Sequence, residues 1–147
     1  MVDYKKSKAK RTVSKDYMET IYGHPVQAIY LDDKKKWLWG VEETATGEGE
    51  FWEGYSKTKE EALKIIKRTL KREGFLSKDL EYDKKYNNYL GTIHGHPVSI
   101  EYDPTDKQWI WSVWETASDS SDSYEGNTNS KEDAFKEVEK AMKKEGW

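Results

Sequence analysis

With 147 residues and no cysteine, the chain is long enough for one ordinary domain or two small ones, and it offers no disulfide framework, thiolate metal site or cysteine nucleophile. The net charge is −3 with 36% of residues charged, and the few aliphatic residues with a mean hydropathy of −1.07 would by themselves suit a disordered chain. Seven Trp and ten Tyr argue against that, so a core must be built from rings more than from Leu and Ile.

No run approaches the roughly 18 apolar residues of a membrane span. A soluble, cytoplasmic protein with no membrane partner and no cofactor is expected. Residues 1–16 read as a flexible basic arm carrying Lys5, Lys6, Lys8, Lys10 and Arg11. No apolar segment follows, so the arm is neither a secretory signal nor a good transit peptide. It reads either as a solvated terminus or as a phosphate-contacting tail.

From Tyr17 the pattern tightens, and everything up to Phe75 recurs from Tyr89 to Trp147. Gly23-His24-Pro25-Val26 returns 72 residues later as Gly95-His96-Pro97-Val98. Trp37-Leu38-Trp39-Gly40-Val41 returns as Trp109-Ile110-Trp111-Ser112-Val113, and Glu43-Thr44-Ala45 as Glu115-Thr116-Ala117. No gap is needed anywhere, which makes the duplication the strongest inference the sequence carries.

In chain order, Glu19 to Tyr22 and Pro25 to Leu31 read as short strands bent at Gly23-His24. Asp32-Asp33-Lys34-Lys35 is a polar turn, the Trp37 strand follows, and a loop at Thr46-Gly47-Glu48-Gly49 leads to a fourth strand over Phe51 to Tyr55. Thr58-Lys59-Glu60-Glu61 is a capping box opening a helix that runs to Gly74, with Ser130-Lys131-Glu132-Asp133 as its counterpart. Residues 76–88 read as a polar, Tyr-bearing linker. The expected fold is α+β: two tandem ββββα repeats, 17–75 and 89–147, each an antiparallel sheet with one helix packed on one face. Ala62, Leu63, Ile66 and Leu70 follow helical spacing and would cover Val26, Ala28, Tyr30, Trp37, Trp39, Val41 and Trp52.

The run from Ala28 through Gly54-Tyr55-Ser56-Lys57-Thr58-Lys59-Glu60-Glu61-Ala62-Leu63 resembles the N-terminal domain of HicB-type antitoxins, a partial RNase H-like βββα unit. That resemblance implies a protein partner and no catalysis. The same run is similar to the arm-type DNA-binding domains of tyrosine recombinases, which would imply a DNA-reading sheet. Against that stand Glu42, Glu43, Glu48, Glu50 and Glu53, which would repel phosphate.

The candidate chemistry is thin. His94-Gly95-His96 with Asp103 could approach a metal, yet the first copy has Tyr22 in place of His94 and no third ligand has convincing spacing. The acidic loop with Asp119 and Asp122 lacks the regular oxygen spacing of a calcium loop. Glu42 and Glu43 are adjacent in a strand, point to opposite faces and cannot share a reaction centre. No metal site and no enzyme is expected.

The informative signal is the difference between copies. On the face away from the helix, the first copy has Ile29, Leu31, Leu38, Phe51 and Tyr55 where the second has Glu101, Asp103, Ile110, Ser123 and Asn127. Such a patch marks either an interface or a face covered from within, by the linker tyrosines Tyr82 and Tyr86 or by the second repeat. Trp114, in place of Glu42, is a separate candidate contact. The reading is a non-enzymatic protein-binding module, an inhibitor or antitoxin-like adaptor of bacterial or phage origin that occludes a partner surface. Self-association is left open. A nucleic-acid binder using the basic arm and sheet aromatics is the alternative.

Overall fold

The computed structural model describes residues 16–118 and 121–147. In order the elements are β1 (Tyr17–Ile21), β2 (His24–Leu31), β3 (Lys36–Glu42), β4 (Phe51–Ser56), α1 (Lys59–Arg72), β5 (Lys78–Asp83), β6 (Asn88–Ile93), β7 (His96–Asp103), β8 (Gln108–Trp114), β9 (Ser123–Thr128) and α2 (Lys131–Glu145). The protein is α+β, with an antiparallel sheet A in the order β1-β2-β3-β4 and an antiparallel sheet B in the order β5-β6-β7-β8-β9. The chain divides into two compact units, Met1–Arg72 and Glu73–Trp147. Lys5, Lys6, Lys8, Lys10, Arg11 and Asp119 lie outside the described residues.

Turn chemistry sets the strand order. Tyr22-Gly23 and His94-Gly95 all have positive φ (50°, 84°, 54° and 82°), the combination a two-residue hairpin needs to match the strand twist. Pro25 and Pro97 stand one residue before the β2–β3 and β7–β8 ladders begin at Val26 and Val98, where a missing N–H does no harm. Strand pairings then repeat at the spacing seen in the sequence: Val26 faces Val41 and Val98 faces Val113, while Trp39 faces Gly54 and Trp111 faces Gly126.

Both helices open as the caps require. Thr58 Oγ1 accepts from the Glu61 amide at 3.1 Å while the Glu61 carboxylate accepts from the Lys57 amide at 3.1 Å. Ser130 Oγ accepts from the Asp133 amide at 3.1 Å. Past α2, Gly146 (φ 79°) turns the chain so that the Trp147 amide donates to the Met142 carbonyl at 2.8 Å.

In the first unit Val26, Ala28, Trp37 and Val41 are buried, as are Ala62, Ile66 and Leu70 of α1. In the second, Val98, Ile100, Trp111 and Val113 form one cluster with Ala134, Val138 and Met142 of α2.

The second unit differs from the expected four strands. Residues 78–83, read from the sequence as linker, form β5 and pair along their whole length with β6, which itself begins at Asn88. Leu80 and Tyr82 alternate with polar neighbours and take their places on the buried face of sheet B. The Tyr82 ring lies 4.7 Å from Tyr89, which in turn meets Phe135 edge-on at 5.2 Å. Tyr82 therefore packs against Tyr89 within its own unit.

β5 also depends on Gly91, whose φ is +157°, because a Cβ there would stand 1.9 Å from the Asp79 carbonyl oxygen. The first copy has Glu19 at the matching position. Gly91→Ala is expected to destabilise by about 1–3 kcal/mol through strain and collision. The check is amide exchange: Lys78–Asp83 should lose protection while β7 and β8 keep theirs.

Candidate functional site

Residues directly opposite in an antiparallel sheet share a face, so the register fixes which side chains are neighbours. On the face of sheet A opposite Val26, Ala28 and Val41, Ile29, Leu38 and Tyr55 form one row across β2, β3 and β4. Leu31 lies beside this row and pairs with Lys36. Phe51 pairs with Glu42 at the other end of the sheet, separated from Tyr55 by Glu53. Four of the five candidates thus make one patch, and Phe51 stands apart from it. Trp114 sits on sheet B, half-buried and paired with Ser123.

The patch is open to solvent unevenly. Ile29, Leu31 and Leu38 are half-buried, whereas Tyr55 is 51% exposed and Phe51 63%. Lys34 donates to the Tyr55 hydroxyl at 3.2 Å, with its ammonium 5.0 Å from the ring centre, and that hydrogen bond holds the lysine proton more tightly than usual.

Sequence reasoning missed Met18. It is 71% exposed, the highest value for a large apolar side chain among the described residues, and it shares a row with Gln27, Gly40 and Glu53. The omission came from starting the first strand at Glu19, although Leu90 at the matching position of the second copy is the signal that could have found it. A shallow hollow of about 280 Å³ opens here, its walls including Met18, Thr20, Pro25, Gln27 and Glu42.

The same positions in sheet B are polar at four of the five places, and its neighbours use their polarity on one another. Asn127 donates to the Gln108 side-chain oxygen at 3.2 Å, and the Ser99 and Ser112 hydroxyls meet at 2.7 Å. Ile110 (39% exposed) is the apolar exception, and Leu90 (48%), the counterpart of Met18, and the half-buried Trp114 are further apolar side chains on the same face.

The histidines are occupied within the fold. His24 and His96 are fully buried, and each Nδ1 faces a backbone carbonyl, that of Glu43 at 2.7 Å and that of Glu115 at 2.8 Å. A carbonyl only accepts, so Nδ1 carries the proton in each ring. His94 Nδ1 likewise donates to the Trp147 carbonyl at 2.9 Å. Among the described residues no three His, Asp or Glu side chains converge on one point.

At the β1 edge the Tyr17 hydroxyl donates to the Glu19 carboxylate, and this bond, with some desolvation and the nearby negative charge, pushes the phenol up to about 12. The unfolded chain would ionise this tyrosine near pH 10. The contact's contribution is therefore full below pH 10 and lost as pH rises through about 12. Tyrosine ring NMR should show Tyr17 ionising late, and Glu19→Gln should bring it back toward the ordinary range.

The chain matches no family model, no curated protein and no solved structure. Among the described residues no helix is long and apolar enough to cross a membrane.

Proposed function

We propose that the chain is a ββββα unit used twice, with a helix packed on one face of each sheet and β5 added to the second copy, and that it acts by binding another protein. The contact surface is the face of sheet A carrying Ile29, Leu31, Leu38 and Tyr55, extended by Met18 and Phe51. One observation carries this reading: large apolar side chains stay exposed on a sheet face whose counterpart in the second copy is mostly polar. Apolar surface of that kind usually marks an interaction site.

The resemblance to HicB-type antitoxins supports the same direction. It suggests an inhibitor or antitoxin-like adaptor of bacterial or phage origin that blocks a partner's surface sterically and does no chemistry itself. The non-enzymatic reading also agrees with histidine Nδ1 atoms spent on backbone carbonyls. Glu42 and Glu53 on this face weigh against a phosphate backbone as its ligand. Trp114 is a separate contact on sheet B.

The test is capture of a partner from a bacterial lysate by the immobilised chain, with Phe51→Asp and Leu38→Asp beside the wild type. Phe51 is exposed enough that its replacement should change stability by only about 0.5 kcal/mol. The partner should be lost at least tenfold in both variants while their circular dichroism stays native. Capture that is unchanged in folded variants would remove this face from consideration. Binding that survives Phe51→Asp, falls steeply with salt and disappears on deleting residues 1–16 would point instead to nucleic acid.

A further inference from the structure

We propose that the outer edge of β1 is a strand-accepting site, and that its occupant is residues 6–11 of the same chain, paired antiparallel in the register that β5 holds on β6. Residues 6–11 lie outside the described part of the chain. The site is the edge of sheet A, so it stands whether or not the face of that sheet binds a partner.

The second unit shows what such an edge takes. β6 is the counterpart of β1, and β5 pairs with it from Lys78 opposite Ile93 to Asp83 opposite Asn88. The His94 amide, just past β6, donates to the Ser77 carbonyl at 2.7 Å. Amides alternate in direction along an antiparallel strand, so those of Thr92 and Leu90 point the same way. Their counterparts, Thr20 and Met18, send their amides out from the β1 edge, where sheet A has no further strand among the described residues. Both residues are exposed. Such an edge is a template for an added strand, held by main-chain hydrogen bonds.

The chemistry of the edge selects the occupant. Shifted by the 72 residues of the repeat, residues 6–11 fall on β5, and residues 12–15 equal in number the turn between Asp83 and Asn88. In that register Lys8 stands opposite Glu19, Ala9 opposite Met18, Lys10 opposite Tyr17 and Arg11 opposite Asp16. The Glu19 carboxylate, which holds the Tyr17 hydroxyl, is exposed, and Asp16 is half-buried. Each of these acids thus gains a cation across the strands, and Lys10 comes to the Tyr17 ring. A slip of one residue would set Ser7 or Ala9 against Glu19 and leave that carboxylate unmatched.

Glu19 also fixes how the strand must sit. It stands where β6 has Gly91, so the close backbone approach that β5 makes there is denied to a strand on β1. The added strand therefore lies at the ordinary spacing of about 4.8 Å and meets its neighbour through charge. β5 meets its neighbour through Leu80 and Tyr82 instead.

Amide exchange of the full chain, read by NMR at two protein concentrations, is the experiment. In the wild type the Met18 and Thr20 amides should exchange at least about tenfold more slowly than in an unstructured chain, at either concentration. Exposed charge pairs are weak, so Lys8→Glu and Glu19→Lys should each speed those two amides about three- to tenfold and leave the amides of β3 unchanged. The two substitutions together restore opposite charges and should restore the wild-type protection. Met18 and Thr20 amides that exchange freely in the wild type overturn the inference. So does protection that ignores both single charge changes, or a double variant no better protected than the single ones. Protection that rises with protein concentration also overturns it, and gives the edge to a strand of a second copy.

Discussion

Gly54→Val and Gly126→Val should each lower the stability of their own unit by about 2–3 kcal/mol, because each glycine is the floor on which an indole lies. Trp39 faces Gly54 across β3 and β4, and Trp111 faces Gly126 across β8 and β9. A Cβ at residue 54 would sit 2.9 Å from Trp39 Nε1 and 3.1 Å from two ring carbons, and the distances at residue 126 are 2.9 and 3.0 Å. Neither glycine has the positive φ that would strain a side chain by itself. The cost therefore comes from pushing a rigid ring out of a packed layer, where it cannot give way as a flexible chain end would. Glu53→Val, on the opposite face of the same strand, is the matched control and should stay within about 0.5 kcal/mol. Urea unfolding followed by tryptophan fluorescence compares the variants. A Gly126→Val protein as stable as its parent would show that the ring is not seated there.

This pairing explains why tryptophan is written twice in each short strand. In β3 Trp37 is buried in the core, while Trp39 is half-buried and closes over a strand that has no side chain to offer at that point; in β8 the burial is reversed, with Trp109 half-buried and Trp111 buried over Gly126. The sequence made the first half of that legible: period-two alternation put Trp37, Trp39 and Val41 on one face, and helical spacing put Ala62, Ile66 and Leu70 opposite them. It did not say which strand the second indole would cover, because glycine at 54 reads only as a weak strand residue until the register is known.

β5 was missed for a related reason. Leu80 and Tyr82 do alternate with polar residues, and Asp83 does accept from the Lys85 amide at 2.9 Å in the turn before Asn87, whose φ is 50°. Asp103 makes the same bond to Thr105 in the turn between β7 and β8. The turn chemistry was therefore in the sequence. Lys78, Asp79, Glu81 and Asp83 around the two apolar residues hid it, and the sequence at the matching positions 6–11 has no comparable apolar–polar alternation. The candidate face was legible as a set of residues but not as a shape, since only the register sets Ile29, Leu38 and Tyr55 in one row and Phe51 beside Glu42 at the other end.

The other large expected effect is at Trp147, where replacement by alanine should cost the second unit about 3–5 kcal/mol. The ring is buried and stacks on His96 with centroids 4.9 Å apart at 18°, and it meets Tyr124 edge-on at 5.7 Å. His96 is itself buried and tied to the Glu115 carbonyl, so removing the indole opens a cavity against a polar ring that cannot move to fill it. Trp147→Phe keeps an aromatic face on His96 and should cost about half as much, which separates lost stacking from lost volume. Hydrogen exchange reads both variants at residue level. The bonds from the Trp147 backbone to Met142 and His94 do not need the side chain, so the helix end should stay formed while protection falls across β7 and β8. A loss under about 1 kcal/mol in Trp147→Ala would mean that the cavity collapses, and that the ring closes the core without holding it.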